Sequence, residues 1–124
     1  MEDFSNEANY FFFSSLANRT RLAIIDILRA GPKNISGISE ALEQDETTVA
    51  PNLNRLEHCA LLRSESSGKE KVFSLNMEIV APLSELLAFH TSKYCPSLKY
   101  CLTPEKLKEY MKKEAAKGTY VEHE

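Results

Sequence analysis

The 124-residue sequence has no tryptophan, only four glycines, three cysteines and three histidines, and no excess of positive charge. Each shortage removes a class of protein. Lysine and arginine number 15 against 18 aspartates and glutamates, a formal net charge of −3. A protein that coats nucleic acid on charge alone needs a strong positive excess, so that class is excluded, whereas a reader of DNA sequence needs only a local patch. Cys59, Cys95 and Cys101 are too few for a secreted disulfide scaffold, and their odd number suits a reducing compartment. No apolar run approaches the roughly 20 residues of a membrane span. The opening residues Met1-Glu2-Asp3 are acidic, whereas a secretion signal opens on basic residues. The expectation is therefore a soluble, cytoplasmic chain with no membrane partner. There is also no phosphate-cradling glycine loop, no nucleophile elbow and no paired histidine–carboxylate motif, so an enzyme is not expected.

What is there is a core. Hydrophobic residues make up 43% of the chain, enough for one folded domain. From Phe4 to Ala17, Phe4, Ala8, Phe11, Phe12, Phe13 and Leu16 recur with helical spacing. The run Tyr10-Phe11-Phe12-Phe13 covers more than one face. Such a helix needs two partners, its own core and either a second copy of the chain or a C-terminal helix, with the second copy favoured. Asn18 is placed to cap a helix carrying Leu22, Ile24, Ile25 and Leu28 as far as Ala30, and Gly31-Pro32 stops it. A short extended piece, Lys33 to Ile35, precedes a short helix capped by Ser36 and ending at Leu42. Gln44-Asp45-Glu46 is a polar turn. A further helix runs from Thr47 to Cys59, with Val49, Leu53 and Leu56 turned inward.

The period then changes. Leu61 to Glu65 and Lys71 to Leu75 flank Ser66-Ser67-Gly68-Lys69-Glu70, which reads as a β-hairpin. A longer helix follows from Glu78 to Tyr94, and Cys95-Pro96 breaks it. Thr103-Pro104-Glu105 opens a last helix to Lys117 that ends at Gly118, leaving Thr119–Glu124 as a frayed tail. Residues 1–94 are expected to form the functional domain and residues 95–124 a C-terminal helical extension. That last helix is rich in lysine, and a charge run of this kind is most often a solvated face.

Short helix, turn, second helix and hairpin, in that order, make a winged helix-turn-helix. The fold class expected is mainly α with a small β-hairpin. On the second helix Thr47, Thr48, Asn54 and Arg55 point away from the core, with Asn52 at the flank. Asparagine can pair with adenine, arginine with guanine, and threonine can meet a phosphate or a thymine methyl group. Lys69 and Lys71 at the wing suit backbone phosphates. One residue at a time, these are an ordinary solvated helix and a charged hairpin. Their order and spacing together point to double-stranded DNA.

At these residues the sequence resembles the ArsR family of winged-helix repressors. The stretch Ser15-Leu16-Ala17-Asn18-Arg19-Thr20-Arg21-Leu22-Ala23-Ile24-Ile25 is similar to the family's opening motif. Thr47-Thr48-Val49-Ala50-Pro51-Asn52-Leu53-Asn54-Arg55-Leu56 is similar to its recognition helix, and Lys71-Val72-Phe73-Ser74-Leu75 to its wing strand. The resemblance covers Phe12 to Leu87. It implies a homodimer built on long first and fifth helices, and repression by promoter occupancy that an effector relieves. Two features depart from the family. Asp45-Glu46 places negative charge before the recognition helix, which suits the helix dipole and repels phosphate. Pro51 lies within that helix, so either the helix starts near Thr48 or it is kinked. Pro82 poses the same question in the fifth helix.

The family's familiar metal sites are not reproduced. Ile35-Ser36-Gly37-Ile38-Ser39 lacks the C-x-C thiolate pair, and Asn76-Met77-Glu78-Ile79 lacks the histidine that opens the other site. His90, Cys95 and Cys101 remain as candidate ligands for a soft metal ion such as zinc. Cys95 and Cys101 are alternatively a reversible disulfide, or simply small packed side chains. Cys59, at the end of the recognition helix, reads as structural, and His58 beside it as a solvated helix-end cation. The competing function class is a winged helix that binds protein in place of DNA, motivated by the acidic balance.

Overall fold

The computed structural model describes residues 3–94 and 104–117. These hold six helices and three strands: α1 Glu7–Leu16, α2 Arg19–Leu28, β1 Lys33–Asn34, α3 Ile35–Leu42, α4 Glu46–His58, β2 Leu62–Ser67, β3 Glu70–Leu75, α5 Met77–Lys93 and α6 Pro104–Ala116. They divide into two compact units, one ending at Val80 and the other starting at Ala81.

In the first unit the side chains of α2, α3 and α4 and the base of the hairpin share one core. Ile24, Ile38, Val49, Leu56 and Leu61 are fully buried, and Leu53, Leu62, Leu28 and Phe73 nearly so. Val49, Leu53 and Leu56 lie on one helical face, as their spacing predicts, and removing each such side chain from water contributes about 1.5–3 kcal/mol. The wing strands pair antiparallel from Leu62 opposite Leu75 to Ser67 opposite Glu70, and Gly68 takes a φ of 65° at the tip. Here a glycine meets no steric penalty.

The hairpin is not alone. Lys33 and Asn34 pair with Phe73 and Val72, so the sheet has three strands in the order β1-β3-β2. The short extended piece before α3 is thus a strand whose partner lies 40 residues away in sequence, out of reach of any local signal. Capping also departs from expectation. Asn34, not Ser36, caps α3 by accepting from the Gly37 N–H at 2.8 Å, while the Ser36 hydroxyl donates to Glu46 at 2.9 Å. α1 starts at Glu7 because Asn6 caps it, accepting from the Asn9 N–H at 2.8 Å. Asn18 caps α2 as expected, accepting from the Arg21 N–H at 2.9 Å.

α4 begins at Glu46, two residues before the start near Thr48 that would put Pro51 in the first turn, and continues through that proline. α5 likewise continues through Pro82. The exit of α4 and the start of α5 are tied by buried Asn76, whose side-chain amide donates to the Ala60 carbonyl at 2.8 Å. Ala60 adopts a left-handed φ of 63° that this contact helps to hold.

In the second unit α5 carries exposed Leu86, Leu87 and Phe89, and α6 carries exposed Leu107 and Tyr110. No described helix is long and apolar enough to cross a membrane. Cys95, Cys101 and the tail Thr119–Glu124 lie outside the described residues.

Candidate nucleic-acid interface

α4 is held by its buried stripe, which leaves the opposite side outward. Thr47, Thr48, Pro51, Asn54 and His58 are exposed, and Asn52 and Arg55 are half-buried. This division follows from the turn of 100° per residue. Thr47, Pro51, Asn54 and His58 recur at intervals of three or four and form one stripe. Asn52 and Arg55 fall on the flank that faces α1 and α2.

That flank is occupied. The Arg55 guanidinium donates from Nε to the Ser15 hydroxyl at 2.8 Å and from Nη2 to the Ser14 hydroxyl at 2.9 Å, and lies 4.3 Å from the centre of the Phe11 ring. Arg21 of α2 fills the remaining space. It donates to the Ser15 carbonyl at 2.6 Å, to the Ser14 carbonyl at 3.2 Å and to the Asn52 side-chain oxygen at 2.9 Å. The Asn52 amide group in turn donates to the Thr48 carbonyl at 3.0 Å. Two arginines therefore close the C-terminal end of α1, where helix carbonyls lack intrahelical partners. Burial, and next the neighbouring Arg55 charge, hold the Arg21 guanidinium below its ordinary pKa. Neither arginine has a carboxylate partner among the described residues.

The spacing of α4 placed Arg55 on the outside and Asn52 at its edge as base readers. In the structure both are engaged with α1 and α2. The cause is the approach of α1, a tertiary event that helix periodicity does not report. Sequence reasoning also passed over Arg21 and Ser15. No local signal marked Ser15, which follows the aromatic run by two residues, because its complete burial is set by the fold.

The other flank of α4 faces the wing. A cleft of about 370 Å³ is lined by Asn34, Ile35 and Ser36, by Ala50, Leu53 and Asn54 of α4, and by Lys69, Glu70, Lys71 and Phe73 of the hairpin, with the Glu70 carboxylate accepting from the Asn34 side-chain amide at 3.1 Å. Asn54 and the two wing lysines thus share one concave surface. Lys69, at the tip, forms no ion pair among the described residues. Lys71 is paired with Glu57 of α4 at 3.4 Å and lies 5.3 Å from the Phe73 ring centre. The Ser64 hydroxyl also bonds Glu57, and this bond, ahead of the Lys71 charge, holds the Glu57 carboxyl below the usual carboxylate range. Glu57 therefore anchors both wing strands to α4.

The acidic residues before α4 form a separate surface. Glu40, Glu43, Asp45 and Glu46 line a shallow depression at the turn between α3 and α4. His90 is exposed near the end of α5, with its ring 5.9 Å from that of Tyr94. Among the described residues no three His, Cys, Asp or Glu side chains are gathered as a metal ion would need. The proposed co-ligands Cys95 and Cys101 lie outside those residues.

Residues 18–64, from the α2 cap into the first wing strand, match the model of the bacterial regulatory protein arsR family. The chain is 30% identical over 77 residues to the HTH-type transcriptional regulator NmtR of Mycobacterium tuberculosis, a match covering 62% of this chain and 64% of that protein's length. Its fold superposes with a TM-score of 0.63 on the homodimeric winged helix-turn-helix DNA-binding domain of Mb0332 from Mycobacterium bovis, at 25% identity, covering 76% of this chain and 93% of that one. HlyU from Vibrio cholerae has the same fold, with a TM-score of 0.61 at 23% identity over 77% of this chain and 99% of that one. The helix-turn-helix is thus matched by the arsR family model, and the chain resembles winged helix-turn-helix transcriptional regulators of that family in sequence and fold.

Proposed function

We propose that this chain is a homodimeric, sequence-specific DNA-binding repressor. One observation carries the reading: Asn54 of the exposed stripe of α4 and the wing lysines border the same cleft, so one duplex can be met by Asn54 and Lys69 together. Thr47, Thr48 and Asn54 contact base edges or adjacent phosphates, and Lys69 and Lys71 contact the backbone. Asn52 and Arg55 act as positioning residues that fix α4 against α1 and α2.

A second copy is the proposed cover for the aromatic surface of α1 and the turn before it, where Tyr10 and Phe13 on the helix and Phe4 in the turn are exposed. The homodimer reported for the Mb0332 domain supports this. Two recognition helices in successive major grooves would read half-sites about 34–36 Å apart. The acidic depression beside α4 repels phosphate and so keeps the affinity modest, while the wing lysines that neutralise phosphates make the contact sensitive to salt. His90 with Cys95 and Cys101 is proposed as the place where a soft metal or a thiol–disulfide change acts, on the chemistry of those side chains alone.

The test is titration of labelled DNA from the region upstream of the chain's own coding sequence, with sedimentation to give the mass of the complex. The expected result is a two-fold-symmetric protected site and two chains per duplex. Lys69→Ala should weaken all sequences alike and lower the salt slope by about one. No competition-resistant complex at low salt, together with capture of a stoichiometric protein partner, would favour the protein-binding alternative.

A further inference from the structure

On the outward stripe of α4 one backbone group lacks the partner that the helix gives its neighbours. Pro51 has no N–H, so the Thr47 carbonyl, four residues earlier, receives no hydrogen bond from it. α4 runs unbroken from Glu46 to His58 with Pro51 inside, so this carbonyl belongs to the first turn and not to the open C-terminal end. Thr47 and Pro51 are both exposed. The nearby side-chain donor, the Asn52 amide group, is committed to the Thr48 carbonyl at 3.0 Å. A surface that closes over the Thr47 carbonyl must bring a donor, since an acceptor sealed away unmatched is costly.

We propose that the Thr47 carbonyl reads a base amino group in the major groove, freed for that role by Pro51. The inference rests on α4 being the DNA-reading helix. The chemistry then selects the ligand. Guanine offers only acceptors at its major-groove edge, and thymine an acceptor and a methyl group. Cytosine offers its N4 amino group and adenine its N6 amino group. A carbonyl acceptor therefore favours cytosine or adenine and opposes guanine and thymine at one position. The first turn of a recognition helix is the part that reaches the base edges, which is where Thr47 stands. The proline thus adds a main-chain acceptor to a helix whose Asn52 and Arg55 are turned inward.

The test uses the full chain. A randomised-site selection identifies the preferred sequence, and binding is then measured on that site with the amino group removed from the groove at each adenine or cytosine in turn. Adenine is replaced by 2-aminopurine, which carries its amino group in the minor groove, and cytosine by a pyrimidin-2-one nucleoside, which has none. Wild type is compared with Pro51→Ala and Pro51→Ser, both of which restore an N–H for the Thr47 carbonyl. At one position wild type is expected to lose about tenfold in affinity, and both variants less than about twofold. The two replacements tell adenine from cytosine. Equal losses in all three proteins assign the amino group to a side chain and overturn the proposal. A selected site with no amino-bearing base that matters to wild type also overturns it. If wild type selects no DNA sequence at all, the DNA-binding reading itself fails, a result distinct from the other two. Thermal unfolding of both variants at or above the wild-type midpoint shows that the helix has survived the change.

Discussion

On one flank of α4, Asn52 and Arg55 are fully engaged with Arg21, Ser14, Ser15 and Phe11. On the other, Thr47 and Asn54 are exposed and make no side-chain hydrogen bond among the described residues. Asn52 and Asn54 are the same residue type two positions apart, separated by about 200° around the helix. The difference teaches that residue type alone does not assign a reader. α1 packs against only one flank, and the side chains there satisfy α1. Those on the open flank keep their hydrogen-bonding groups for a partner.

Mutations can break this comparison. The largest effect is expected for Arg21→Met, which leaves the Ser14 and Ser15 carbonyls and the Asn52 side chain without their donor. Chemical denaturation should show a loss of about 2–3 kcal/mol, reduced somewhat because Arg55 loses a like-charged neighbour. Arg55→Ala should follow at about 2 kcal/mol, from two hydrogen bonds and the contact with Phe11. Its affinity for every DNA sequence should change in proportion. A selective loss at one base pair would instead show that Arg55 leaves α1 to read DNA.

Asn54→Ala should do the opposite. Its unfolding midpoint should match wild type, while discrimination at one base pair falls by about 1–2 kcal/mol in competition binding. The smallest effect is expected at Glu57, whose carboxyl is held below its usual range chiefly by the Ser64 hydroxyl. A depressed folded pKa means that the stabilisation is complete above the ordinary carboxylate range and fades as the pH falls through the folded value. The stability difference between wild type and Glu57→Gln should therefore be constant from neutral pH to about pH 5 and shrink below it, as followed by thermal melts across pH.

Much of this was legible along the chain. The α4 stripe, the Asn18 cap and the glycine at the wing tip are local features, and each obeys a rule of spacing or backbone conformation. What stayed hidden depended on distant residues. β1 is two residues long and exists because Phe73 and Val72 lie beside it. Asn34 caps α3 where Ser36 also had a suitable side chain, because Ser36 is drawn to Glu46. The engagement of Arg55 with Ser14 and Ser15 was not legible because some 40 residues of sequence separate groups that the fold brings together.

The sequence by itself determined the order of elements, the inward face of α4 and the basic wing tip. Those follow from periodicity, turn chemistry and charge, which act over a few residues. Only the tertiary structure decided which polar groups of α4 remain open. Packing α1 and α2 against the helix supplies hydrogen-bond partners on one flank, and the free energy of satisfying buried polar groups binds those side chains there. Pro51 joins the two levels. Its missing N–H is written in the sequence, and the exposed side of α4 on which it falls is set by the fold.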